Sequence, residues 1–149
     1  AMQRYIAIIS LLVLFFFTEP TPVYEGCDLP AHFLFHFHHS NIFHLLANAS
    51  CILALKKIRW IESYFIAVVC SFLIVEPTVG ISGILFAAIG SGIGKRAYLK
   101  GLLRCSIMAF LFGLLPGVSL VFHLVSLISG YAYGWCVESF RIYRRCRPA

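Results

Sequence analysis

Lysine and arginine fall in four groups, and the stretches between them constrain the chain more than any other feature. Arg4 stands alone; Lys56, Lys57 and Arg59 follow; then Lys95, Arg96, Lys100 and Arg104; then Arg141, Arg144, Arg145 and Arg147. No Lys or Arg occurs from Tyr5 through Leu55, and Glu19, Glu25, Asp28 and Glu76 sit in the gaps. Apolar runs separate the basic groups. A chain that crosses a bilayer repeatedly, with its basic loops held on the cytoplasmic side, produces this alternation. Only 12% of the 149 residues are charged, about half the share of a soluble domain, and 60% are hydrophobic. The net charge of +6 is spread along the chain instead of over one water-facing surface, which argues against a nucleic-acid partner. No linker is long or polar enough to divide the chain, so residues 1–149 are expected to form a single membrane domain.

Six apolar segments are expected to be helical crossings, at about 5–17, 41–55, 60–75, 82–94, 102–115 and 118–139, giving an all-α, multi-pass bundle with both termini cytoplasmic. Brevity and short loops point to a bacterial inner membrane. The first segment has the length of a signal peptide, but Phe15-Phe16-Phe17 is bulky where a cleavage site needs small residues, so an anchored helix is favoured. Between Thr18 and Ser40, Pro20, Pro22, Gly26 and Pro30 predict a loop. Several segments are shorter than the roughly 20 residues of a full crossing. A helix that begins inside the membrane must open onto a water-filled cavity. The six cysteines, Cys27, Cys51, Cys70, Cys105, Cys136 and Cys146, include no CxxC pair and suggest neither a zinc site nor a disulfide framework.

Polar residues inside spans are costly and therefore candidates for function. Three clusters stand out: His39 to Asn48, Gly80-Ile81-Ser82-Gly83, and His123. At ~1.5 Å rise per residue, Ser82 lies roughly 20 Å and His44 roughly 18 Å above the inner face, and His123 roughly 10 Å below the outer one. All three thus share one level in the outer half of the bilayer. Gly83, Ala87, Gly90 and Gly94 recur at three- and four-residue spacing in the fourth span, and Ser126, Gly130 and Gly134 recur every four in the sixth. Small residues at that spacing let two helices approach closely. The same seam also serves ordinary helix packing, with His123 merely bonding a carbonyl. In the chemical reading, a neutral imidazole at His123 takes the proton of Ser82 and activates it. The helix start at Ser82 favours a developing oxyanion, to which His44 and Asn48, four apart on one helical face, can donate. No carboxylate within a span is placed to orient His123, so a Ser–His dyad is expected.

These residues carry a family resemblance. His39, His44 and Asn48 in an H-x4-H-x3-N pattern, Gly80-x-Ser82-Gly83, and a sixth-span His123 followed seven residues later by Gly130 resemble the rhomboid proteases. The resemblance covers the second span to the sixth. It implies a six-helix intramembrane serine endopeptidase that cuts transmembrane or near-membrane segments of other proteins without metal or other cofactor. By position, Ser82 would be the nucleophile and His123 the base. His44, Asn48 and the Ser82 backbone would form the oxyanion hole, and His39 would be structural. The sequence departs from the family in three places. The first loop lacks a Trp-Arg motif, which predicts a truncated or absent membrane-embedded hairpin. Phe86 stands where Tyr is common against the catalytic His, and Ser126 stands where Gly is usual.

Two other readings accompany this one. A proteolytically silent relative would bind membrane segments without cutting them. A metal transporter is suggested by His32, His36, His38, His39 and His44, although the first four precede the second span and no carboxylate or thiol joins them there. Interfacial anchoring of those histidines with Phe33, Phe35 and Phe37 is the simpler expectation.

Overall fold

The computed structural model describes residues 2–55, 58–93, 107 and 119–145, and over these the chain is all-α with no strand. Helix α1 is Met2–Phe17, α2 Leu29–Leu34 running into a 3-10 turn at Phe35–Phe37, α3 Ile42–Ala54, α4 Trp60–Ser71, α5 Ser82–Gly92 and α6 Leu120–Arg145. The expected crossing at 102–115, residue 107 apart, and the glycine at position 94 lie outside the described residues.

Local sequence accounts for most of these boundaries. Asn41 caps α3, its Oδ1 accepting from the His44 backbone N–H at 2.9 Å. Helix α4 was expected to reach residue 75 but ends at Ser71. There the Ser71 hydroxyl turns back onto the Val68 carbonyl at 2.6 Å, and the N–H groups of Phe72, Leu73 and Ile74 bond carbonyls three residues back. Those tight turns carry the chain out of the α path. Helix α6 runs past the expected end at 139 to Arg145, because no Gly or Pro interrupts it after Gly134. At ~1.5 Å per residue its 26 residues extend about 39 Å. It is long and apolar enough to cross a membrane, and only 28% of its most apolar stretch is buried against the protein.

The 18–40 segment corrects the expectation of a loop without helix. Pro30 falls in the first turn of α2, where its absent N–H is no loss, so it starts a helix instead of breaking one. The segment packs along α4: the Tyr64 hydroxyl donates to the Phe33 carbonyl at 3.1 Å, the His32 ring nitrogen meets the Ser71 hydroxyl at 2.8 Å, and His32 stacks on Phe72 at 4.0 Å. A two-way backbone bridge between Val23 and Thr78, 2.9 Å in each direction, ties it to the strand-like stretch before α5. Phe35 and the histidines at 32, 36 and 39 are buried within the protein, whereas Phe33 is exposed. They fill the space between this segment and the helices.

Helix α5 sits at the centre, touching α3, α4 and α6, and every residue from Ser82 to Ala88 is buried. An apolar sequence all round is what such a position requires. Around it gather Leu45, Ile52, Ala67, Ile81, Ile84 and Phe122. The outer faces carry large exposed apolar side chains, among them Phe16, Phe43, Ile61, Phe65, Val69 and Phe72.

Candidate active site

The closest helix pairing is α5 against α6, and it follows the two small-residue rows. A side chain at Gly130 would strike the backbone of Ala87, one at Gly90 the Leu127 carbonyl, and one at Gly134 would lie 2.6 Å from the Ser91 carbonyl. Gly83 admits the ring of Phe122. Ser126, in the same row, is fully buried and its hydroxyl has no hydrogen-bond partner. With the backbones this close, the polar residues at the ends of the two rows meet. His123 Nε2 lies 2.7 Å from Ser82 Oγ, and both residues are buried. Phe86, one turn after Ser82, packs against the His123 ring with centroids 4.5 Å apart and planes at 31°.

The second wall comes from α3. His44 and Asn48 are buried on its inner face and, with Cys51, Ser82, Leu85, Phe86, Ile89 and His123, line a small cavity of about 20 Å³. His44 Nε2 and Asn48 Nδ2 have no hydrogen-bond partner. Two unsatisfied buried donors beside a serine hydroxyl are an unusual cost for a fold to carry, and a ligand oxygen is one way to satisfy them. The other ring nitrogen of His44, Nδ1, lies 3.4 Å from the Ser40 hydroxyl. With Ser40 donating there, the remaining proton sits on Nε2, towards the cavity.

Gly80 holds this wall against the nucleophile. Its φ of +123° is in the left-handed region, and its N–H donates to the Phe35 carbonyl at 3.0 Å. A Cβ there would lie 2.7 Å from His44 Cε1 and 3.0 Å from Nε2, so only glycine lets the imidazole rest on this turn. The turn delivers Ser82 at the first residue of α5, where the first backbone N–H groups of the helix are unbonded.

Ser82, His123, His44, Asn48, Gly80 and Phe86 are thus brought to one place, while Gly83 and Gly130 sit in the α5–α6 seam against Phe122 and Ala87. His39 is buried beside them, its ring 5.1 Å from that of His44 and edge-on, with neither nitrogen bonded. Cys51 went unnoticed in the sequence, although it lies seven residues after His44 and three after Asn48, on the same helical stripe. His36 was likewise missed as a core residue: it is 0% exposed, packed on Phe35 at 3.8 Å and near Tyr64 and Phe122. Nothing in the proline-broken 18–40 stretch marks it as buried. Among the described residues no three His, Cys, Asp or Glu side chains gather as a metal site, and Cys27, Cys51, Cys70 and Cys136 are free thiols. The chain matches no protein-family model, no curated protein and no solved structure.

Proposed function

We propose that this chain is an intramembrane serine endopeptidase of the rhomboid type, built as a six-span bundle with both termini in the cytoplasm of a bacterial cell. One observation carries the reading: a serine and a histidine in 2.7 Å contact, at a buried cavity whose opposite wall presents two unpartnered N–H donors. The multi-pass arrangement is supported by the spacing of the basic groups and by the large apolar side chains that α1, α3 and α4 turn outward. The short α5 is surrounded by protein, which permits a helix to begin within the hydrocarbon.

In this mechanism the Ser82 hydroxyl donates to neutral His123 Nε2 and attacks the carbonyl carbon of a peptide bond in a transmembrane or juxtamembrane segment. The serine proton passes to His123 as the Ser82 Oγ–carbon bond forms. The oxyanion accepts from His44 Nε2–H, Asn48 Nδ2–H and the Ser82 backbone N–H. Collapse breaks the C–N bond, and the leaving amine takes the proton from His123. A water molecule, deprotonated by the same imidazole, then hydrolyses the acyl-enzyme and regenerates the Ser82 hydroxyl.

The test is cleavage of a model transmembrane substrate by the chain reconstituted in vesicles. The wild type cuts it, whereas Ser82→Ala and His123→Ala each abolish cleavage without loss of helical content. Substrate bound by the wild type but left intact would make the chain a silent membrane-segment binder.

A further inference from the structure

Away from the active site, α1 packs on α3 and stands off from α4, leaving a trough. Its larger lobe, about 510 Å³, is bounded by Ala7 and Ser10 of α1, Trp60, Tyr64 and Phe65 of α4, and Ile84 of α5. A smaller lobe of about 310 Å³ continues it past Ala7 and Trp60 to Gln3 and Ile6. From Gln3 to Leu11 the α1 wall runs about 12 Å. The lining is almost wholly apolar, and the one phenol, Tyr64, is engaged by the Phe33 carbonyl at 3.1 Å.

Helix docking in this molecule has a recognisable form, the glycine rows of α5 and α6, and the trough has none of it. Its α4 wall is Trp60, Ile61, Tyr64 and Phe65, an irregular bulky surface that a second helix cannot approach closely. A flexible hydrocarbon chain can fill it. Two arginines flank the Gln3–Trp60 end in sequence without lining either lobe. Arg59, half-buried, directly precedes Trp60 and forms no ion pair among the described residues, and Arg4 follows Gln3. Arg4 lies at that end too, with its guanidinium donating to the Leu53 carbonyl at 3.2 Å. Glu62, two residues after Trp60, likewise lines neither lobe, so the charges flanking this end, Arg4, Arg59 and Glu62, sum to +1. In the orientation proposed above this end faces the cytoplasm, where clustered Lys and Arg between helices bind anionic headgroups and a tryptophan sits well at the interface.

We infer that the α1–α4 trough is a binding site for an anionic phospholipid of the inner leaflet, with the phosphate-bearing headgroup at Arg59 and an acyl chain running past Ala7 and Trp60 towards Ile84. The inference rests on the proposed membrane orientation and not on peptidase activity.

Photoactivatable phosphatidylglycerol and phosphatidylcholine, each incorporated into phosphatidylcholine vesicles holding the full chain, provide the test, with crosslinks mapped by mass spectrometry. Phosphatidylglycerol should crosslink chiefly to the α1 and α4 peptides containing Ala7 and Trp60, and more strongly than phosphatidylcholine. Arg59→Gln should lower the phosphatidylglycerol yield about fivefold, the weight of one cation near an anionic surface, and leave the phosphatidylcholine yield unchanged. Ala7→Trp should suppress crosslinking at both helices, while Phe43→Trp on the outer face of α3 should not. Should Ala7→Trp fail to fold, Arg59→Gln decides alone. Equal yields from the two lipids with no effect of Arg59→Gln would overturn the site, as would crosslinks concentrated outside α1 and α4. Loss of peptidase activity has no bearing on these yields, so a failed protease assignment and a failed lipid site give different results.

Discussion

Gly80→Ala separates the geometry of the oxyanion wall from the dyad itself. The added methyl meets two obstacles. The backbone at φ +123° suits glycine and costs another residue about 1–3 kcal/mol. Its Cβ also falls 2.7 Å from His44 Cε1 and 3.0 Å from Nε2, so the imidazole must move away from the turn that carries Ser82. Ser82 and His123 are untouched by that movement, since their contact lies on the α5–α6 side. The expected result is a protein destabilised by at least about 1 kcal/mol whose acylation rate falls about 10²–10³-fold, the usual loss when one oxyanion donor is removed. The assay is the rate of labelling by a fluorophosphonate, measured beside thermal unfolding, for Gly80→Ala, His44→Ala and the double variant. Because both changes remove the same donor, their losses should not add. Additive losses, or labelling of Gly80→Ala at the wild-type rate, would refute the role given to His44.

Asn48→Ala should slow the same labelling by up to about 3 kcal/mol in barrier height, and full activity would remove Asn48 from the oxyanion hole. Ser126→Ala should raise stability by about 1 kcal/mol, because it deletes a buried hydroxyl with no partner while keeping the seam; unchanged or lower stability in thermal unfolding would contradict that. Burial pushes His36 and His39, in the segment outside the spans, down from 6.5 to about 3, with the neighbouring His44 and His38 adding to the effect on His39. The unfolded chain therefore binds more protons between those values, so stability should be full above about pH 6.5 and fall as the pH drops towards 3. A pH series of unfolding midpoints checks this, and a flat or opposite trend would count against the burial of these rings.

The features of the site that were legible in the sequence depend on helical repeat alone. Gly83, Ala87 and Gly90 face Gly130 and Gly134 because three- and four-residue spacing puts small residues on one stripe, and the close approach then carries Ser82 to His123. His44 and Asn48 share a face for the same reason, and Asn41 was readable as a helix start. What escaped depends on tertiary context. Pro30 reads equally as a helix breaker or a first-turn residue, and only the surface of α4 beneath it decides. His36 becomes a core residue because Tyr64 and Phe122 arrive from two other helices to pack on it beside its neighbour Phe35. The end of α4 is set by the Ser71 hydroxyl turning onto Val68, while Phe72 to Val75 read as more of the same apolar run. Ser126 was visible as an anomaly, but its unpaired burial was not. Only one helix, α6, meets the length of a full crossing among the described residues, so the remaining spans rest on charge spacing.

The most direct test of the central claim is to locate the fluorophosphonate adduct by mass spectrometry on the reconstituted chain. The account predicts phosphonylation at Ser82 and at no other serine, lost in His123→Ala although Ser82 is still present. An adduct elsewhere, no adduct at all, or undiminished labelling of Ser82 without the imidazole would contradict it.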